Sequence, residues 1–250
     1  MRNNKRYYFI IPILILLVWF ILVTFKIVSP LFLPSPQEVF FEIISLFSSG
    51  EILYDIGYTL YRAILGFIIA CIIGIPIGLL MGYSDKIYSS LEFVVEFFRA
   101  IPATALFPLF LLFFGIGDTS KIAIAAWAAT LVLVINSMYG VHLGKELRRK
   151  AAKTMNIKGL SLFQKIIFPE ALPYIFGGIR IAVSLTLVIV IVTEMFIGTN
   201  YGLGHRIIDA QMVYRISEMY ATILILGILG FLINKGVIFT EKQVVHWKGR

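Results

Sequence analysis

Apolar residues run almost unbroken through six stretches of the chain, at about 7–28, 59–81, 91–114, 121–141, 174–197 and 217–239. Each is close to the ~20 residues an α-helix needs to cross the hydrocarbon core of a bilayer. The pattern predicts about six transmembrane helices, because only a helix or a closed barrel pairs its backbone polar groups where there is no water. Between the first two stretches, Val39, Phe40, Ile43, Ile44 and Phe47 recur at helical spacing opposite Glu38 and Glu42. That segment predicts a short amphipathic helix at the membrane surface, set off from the first span by Pro30, Pro34 and Pro36.

The one long hydrophilic stretch is 142–173. Leu147, Ala151 and Met155 fall at four-residue spacing among Glu146, Arg148, Arg149, Lys150 and Lys153, which predicts a basic helix with a narrow, small-residue face. Asn156 and Gly159 tolerate left-handed backbone and break it. Ser161 with Gln164 has capping-box spacing and predicts a second short helix that stops before Pro169.

Composition fixes the class. Of 250 residues, 59% are hydrophobic and 14% charged, against about 45–50% and about 25% in soluble domains. The chain is therefore expected to be an all-α integral membrane protein forming one domain over 1–250. The net charge of +8 follows from cytoplasmic loops rather than from nucleic-acid binding. With the amino terminus inside, the outer side carries only Lys26, Lys121, Arg206 and Arg215, while the other lysines and arginines outside the spans fall inside. Both termini are then cytoplasmic. Arg2, Lys5 and Arg6 precede a first apolar run too long for a signal-peptide core and without an A-x-A-like cleavage site, so it reads as a retained span. The lone Cys71 allows no disulfide framework.

Two features inside the spans could carry function. Gly66, Ala70, Gly74, Gly78 and Gly82 follow one another at intervals of four and form a small-residue stripe for close helix packing, with Pro76 beside it. Arg62, Arg99, Arg180 and Glu194 lie in or at the ends of apolar runs, where they must snorkel, pair or line a polar route. Glu194, too short to snorkel far, and Arg62 are the candidates for a pathway or gate. His142, His205 and His246 lack H-E-x-x-H spacing, no G-x-S-x-G elbow occurs, and there is no phosphate loop of the form G-x-x-x-x-G-K-[ST]. No catalytic or metal site is expected.

The loop residues resemble the shared motif of permease subunits of binding-protein-dependent ABC importers, which runs Glu-Ala-Ala, three residues, Gly, nine residues, Ile, one residue, Leu-Pro. Here it reads Lys150-Ala151-Ala152, Asn156, Ile166 and Phe168-Pro169, with every interval kept and the acid, the glycine and the leucine replaced. Further stretches are similar to the branch importing sulfonates, taurine, nitrate or pyrimidine precursors. They include Leu33-Pro34-Ser35-Pro36, Arg99-Ala100-Ile101-Pro102, Gly115-Ile116-Gly117-Asp118, Pro169-Glu170-Ala171-Leu172-Pro173 and Gly202-Leu203-Gly204, in order along the chain. The resemblance implies a type I importer permease fold, working as a dimer of two copies. It also implies a cytoplasmic ATPase dimer that uses ATP and Mg, and an extracytoplasmic solute-binding protein; the chain itself would bind no cofactor. Lys150, Ala151, Ala152, Asn156, Gly159 and Pro169 would form the coupling loop, with the small face of Ala151 and Ala152 pressed into the ATPase. The expected location is a bacterial plasma membrane. An ion-coupled secondary transporter is the alternative, disfavoured by the scarcity of intramembrane acids and the lack of repeated halves.

Overall fold

The computed structural model describes residues 10–144, 151–152, 154–157 and 159–246. Lys150 lies outside the described residues, as do Lys145 to Arg149, Lys153 and Lys158. Among the described residues the chain is helical, with no strand: α1 (Ile10–Thr24), α2 (Pro36–Ser49), α3 (Glu51–Tyr83), α4 (Asp85–Ala100), α5 (Phe107–Phe114), α6 (Asp118–His142), α7 (Gly159–Phe196), α8 (Leu203–Met212) and α9 (Ile216–Val244). Four of these, α3, α6, α7 and α9, are long and apolar enough to cross a membrane.

Local chemistry sets the boundaries. Helix α2 opens on a full capping box: the Glu38 N–H donates to Ser35 Oγ at 3.1 Å, and the Ser35 N–H donates to Glu38 Oε2 at 2.9 Å, with Pro36 in the first turn. It ends at Gly50, whose φ of 78° turns the chain straight into α3. The indole of Trp19 donates to the Pro34 carbonyl at 3.0 Å, which ties α1 to the proline-rich connection.

Two expectations from the sequence are corrected. The stretch 91–114 is not one straight span: α4 stops at Ala100, a 3₁₀ turn covers Ala103–Leu106, and α5 leaves at 89° to α4. Pro102 disfavours helical backbone at Ile101, which is extended at φ −84° and ψ 120°. The second correction lies in the polar stretch. Ser161 starts no separate helix, because it is already inside α7, which begins at Gly159 and runs 38 residues through Pro169 and Pro173. A π-helical turn at Phe163–Ile167 ends two residues before Pro169. By widening the backbone where the proline ring would meet the carbonyl four residues earlier, it lets the helix continue.

The bundle centre is α3 against α6 against α7. Gly66, Ala70, Gly74, Gly78 and Gly82 lie along the α6 side of α3. A Cβ on Gly78 would stand 2.2 Å from the Val134 carbonyl oxygen, and one on Gly82 would stand 2.6 Å from that of Met138. Ala70 itself is fully buried. On the other side of α6, a Cβ on Gly140 would meet the Ala171 carbonyl oxygen at 2.9 Å, and one on Gly178 would meet Asn136 Cβ at 2.6 Å. Lipid tails give helices no hydrophobic reason to associate, so this contact rests on close backbone approach and van der Waals packing.

Candidate functional site

At the end of the bundle that carries α8, Arg62 is the centre of a buried polar hub. Its side chain is 2% exposed and every nitrogen is used. Nη1 donates to Glu194 Oε1 at 2.6 Å and to the Tyr201 carbonyl at 2.8 Å, Nη2 to Thr199 Oγ1 at 2.9 Å, and Nε to Asp118 Oδ1 at 2.8 Å. The guanidinium also lies over the Tyr58 ring, 5.4 Å from its centroid, and Tyr58 stacks on Tyr201. Glu194, equally buried, accepts in addition from the Thr59 hydroxyl and from the Gly204 N–H at 3.0 Å.

The loop before α8 is shaped by these groups. The Leu203 N–H donates to Thr59 Oγ1 and the Gly202 N–H to Asp55 Oδ1, so with the Gly204 N–H on Glu194 the first amides of the α8 amino terminus end on α3 and α7. Gly202 sits at φ 139°, and a Cβ there would lie 2.5 Å from the Glu194 carboxyl carbon. Only glycine fits. Lys121 closes one side by donating to the carbonyls of Gly117 and Gly198.

A second charged layer lies above. Arg206 Nε donates to Asp55 Oδ2 at 2.5 Å and Nη1 to Glu218 Oε1 at 2.7 Å, and Arg215 reaches Glu218 at 2.8 Å. Burial alone would lower the Arg206 pKa, but its bonds to Asp55 and Glu218 outweigh that and hold it above the ordinary arginine value. A cleft of about 330 Å³ opens beside this layer, lined by Tyr54, Asn200, His205 and Asp209 as well as the ion pairs. Sequence reading singled out Arg62 and Glu194 but missed Thr59 and Asp118 as their partners, and Asp55, Arg206 and Glu218 as the layer beside them. One signal was present: Asp55, Thr59 and Arg62, four and three apart, share a face of α3.

The opposite end carries the loop residues. Asn156 adopts φ 60° and Gly159 φ 57°. The Ile157 N–H donates back to the Ala152 carbonyl at 2.9 Å, the long-range bond of a left-handed helix stop with Asn156 at the turning position. Ala151 and Met155 are exposed, whereas Ala152 is 2% exposed and packs on its own chain. Of the two alanines expected to press into an ATPase, Ala151 is thus the one open to the surface of this chain. Ala151, Ala152, Met155 and Ile157 from the loop, with Ile166 and Pro169 of α7, line a groove of about 530 Å³.

Two further arginines of the apolar stretches sit in separate ion pairs. Arg180 of α7 pairs with Glu241 of α9, and Arg99 at the end of α4 pairs with Glu96 one turn back. Among the described residues, no group of three His, Cys, Asp or Glu side chains could hold a metal ion.

Residues 74–241 match the family described as binding-protein-dependent transport system inner membrane component. The chain is 29% identical to the taurine transport system permease protein TauC of Escherichia coli (strain K12), over 94% of this chain and 87% of that protein. It is 31% identical to the nitrate import permease protein NrtB of a Synechocystis species, over 85% of this chain and 80% of the relative. Its fold matches a chain from inward-facing structures of the MetNI methionine ABC transporter with a TM-score of 0.67 at 19% identity, covering 80% of this chain and 96% of that one. With two thirds of its length inside the family match and a helical bundle of the same fold, the chain belongs to the inner-membrane permeases of binding-protein-dependent transport systems.

Proposed function

We propose that this permease imports a small anion, such as a sulfonate, taurine or nitrate, or a pyrimidine-type precursor, by coupling to a separate ATPase dimer at its loop end. The carrying observation is the groove at Ala151, Met155, Ile166 and Pro169, an apolar seat framed by a loop whose stop is fixed by Asn156. A solute-binding protein would deliver the solute at the α8 end, and a second copy of the chain would complete the pathway. In this reading α1 and the bent α4–α5 pair join the four long helices as six spans of one transmembrane domain, with both termini cytoplasmic. ATP and Mg would be used by the ATPase, and this chain would hold no cofactor. Lys150 replaces the usual acid of the coupling motif and sets the electrostatics of docking.

Arg62 and Glu194 serve in this reading as an outer clamp on the Gly198–Gly204 loop, since each is filled by protein partners. That also weighs against ion-coupled transport, which needs a carboxylate free to exchange a cation. The test is ATP hydrolysis stimulated by the loaded binding protein, measured in lipid with the ATPase co-expressed. Met155→Glu and Ala151→Asp should abolish stimulation and release the ATPase during purification. Retention of both by both variants would overturn the docking assignment, and uptake driven by an ion gradient without ATP would overturn the importer reading.

A further inference from the structure

Arg99 is the charged side chain whose surroundings the clamp does not explain. It ends α4 where the chain breaks, and it lines a cavity of about 460 Å³ with Thr104 and Pro102 of the break, Trp127 and Asn136 of α6, and Leu185 of α7. The α6 lining runs from Trp127 to Asn136 and so straddles the middle of a 25-residue helix that begins at Asp118. The cavity therefore sits deep within the span, and yet the Arg99 side chain is 57% exposed.

Each of these features is costly against lipid. A guanidinium at mid-depth is tolerated where it faces water or a paired charge. Non-helical backbone at that depth survives where it is buried in protein or lines a water-filled cavity. At the break the Ile101 N–H donates to the Phe98 carbonyl at 3.3 Å and the Pro102 carbonyl accepts from the Ala105 N–H at 2.9 Å, so it is the open face of Arg99 at this cavity that calls for water on that side. Glu96 accepts from one Nη of Arg99 and is itself 53% exposed, which leaves most of the five guanidinium donors directed elsewhere.

We infer that Arg99 is an anion subsite on the translocation route, at which a sulfonate, nitrate or carboxylate group exchanges with Glu96 as the partner of the guanidinium. The inference rests on the importer reading and deepens it by placing charge selection in the permease itself. Trp127, held edge-on to Phe98 at 5.0 Å, fixes the end of α4 and gives the cavity an apolar wall. A planar or tetrahedral oxyanion matches the fork of donors that arginine presents, whereas a lysine would offer only a point charge.

The experiment uses the full chain with its ATPase in lipid, with Cys71→Ser and a single reporter thiol at Leu131→Cys on the cavity wall. The probe is a methanethiosulfonate carrying an ethylsulfonate group, itself a small sulfonate, compared with its trimethylammonium counterpart. The sulfonate reagent should react roughly tenfold faster relative to the cation than at an outer control thiol, Ile116→Cys, because a fixed positive charge nearby raises local anion concentration. Arg99→Gln should remove that preference, Arg99→Lys should keep most of it, and Glu96→Gln should strengthen it. Millimolar nitrate should slow labelling at position 131 in the parent and leave it unchanged in Arg99→Gln. Failure of both reagents to label position 131 would overturn the inference by showing the cavity closed, and an unaltered preference in Arg99→Gln would overturn it by showing the arginine neutralised. ATP hydrolysis stimulated by the binding protein, measured on the same samples, reports the importer reading separately.

Discussion

Arg62 and Arg99 both interrupt apolar stretches, and they are opposite solutions to the same electrostatic problem. Arg62 is 2% exposed and meets two carboxylates, a hydroxyl and a carbonyl from three other segments of the chain. Arg99 is half exposed and meets one carboxylate from its own helix. A buried charge with every donor filled is fixed, because any movement would leave donors unpaired in a medium that penalises them heavily. A charge with free donors facing a cavity has exchangeable partners. The clamp end of the bundle is thus built to hold still, and the break between α4 and α5 is built to be wetted.

The largest effect should come from breaking the clamp. Glu194→Ala strips Arg62 Nη1 of its buried carboxylate, leaves the Gly204 amide without its acceptor and should cost about 3–5 kcal/mol, read as loss of folded protein in detergent. Arg62→Met with Glu194→Leu removes both charges and should recover much of that loss, although Asp118 and Thr199 then lose their donor. If Glu194→Ala expresses and melts like the parent, the hub is solvated and its contrast with Arg99 disappears. Arg99→Ala, by the same reasoning, should leave the melting temperature within ~1 °C because its only partner is exposed.

A smaller effect is expected along the α3–α6 seam. Gly78→Ala puts a methyl 2.2 Å from the Val134 carbonyl oxygen and should force the helices apart at about 1–3 kcal/mol. Gly57→Ala, on the same helix with nothing within 4 Å, should instead stabilise by up to about 1 kcal/mol through helix propensity. Thermal unfolding of the two variants side by side decides it, and equal shifts would show that the seam relaxes freely.

Helices in this chain were legible where the medium enforces them. The apolar runs at 121–141 and 217–239 lie within α6 and α9, because each backbone polar group in lipid has to be paired within its own helix. The amphipathic spacing from Val39 to Phe47 marked α2, and the structure adds the Ser35–Glu38 capping box that opens it. The break at Ile101 was not legible, since proline alone does not decide it: Pro76, Pro169 and Pro173 all lie inside helices here. Neighbouring helices and a π-turn absorb those three, and both are tertiary facts. The hub was half legible for a similar reason. Asp55, Thr59 and Arg62 share one helical face, but Glu194, Tyr201 and Arg206 reach them across more than a hundred residues of chain. The loop stop was readable at Asn156, a residue type that accepts positive φ, whereas the burial of Ala152 on its own chain was not.

The smallest effect concerns that stop. Asn156 holds φ 60° with an exposed side chain, so its value lies in the backbone rather than in contacts. Asn156→Gly should be within ~0.5 kcal/mol of the parent, because glycine enters the left-handed region freely but adds disorder to the unfolded loop. Asn156→Val should cost about 1–2 kcal/mol locally, as the branched Cβ crowds the following carbonyl. That loss is expected to unseat the Ile157 bond to Ala152 and loosen the groove while the clamp end stays intact. Hydrogen exchange resolved by segment is the measurement: protection should fall around 152–157 in Asn156→Val and remain unchanged at 199–206. Equal protection in Val and Gly variants would show that the loop turns by some other backbone path, and a loss that spread to 199–206 would show that the two ends of the bundle are coupled rather than independent.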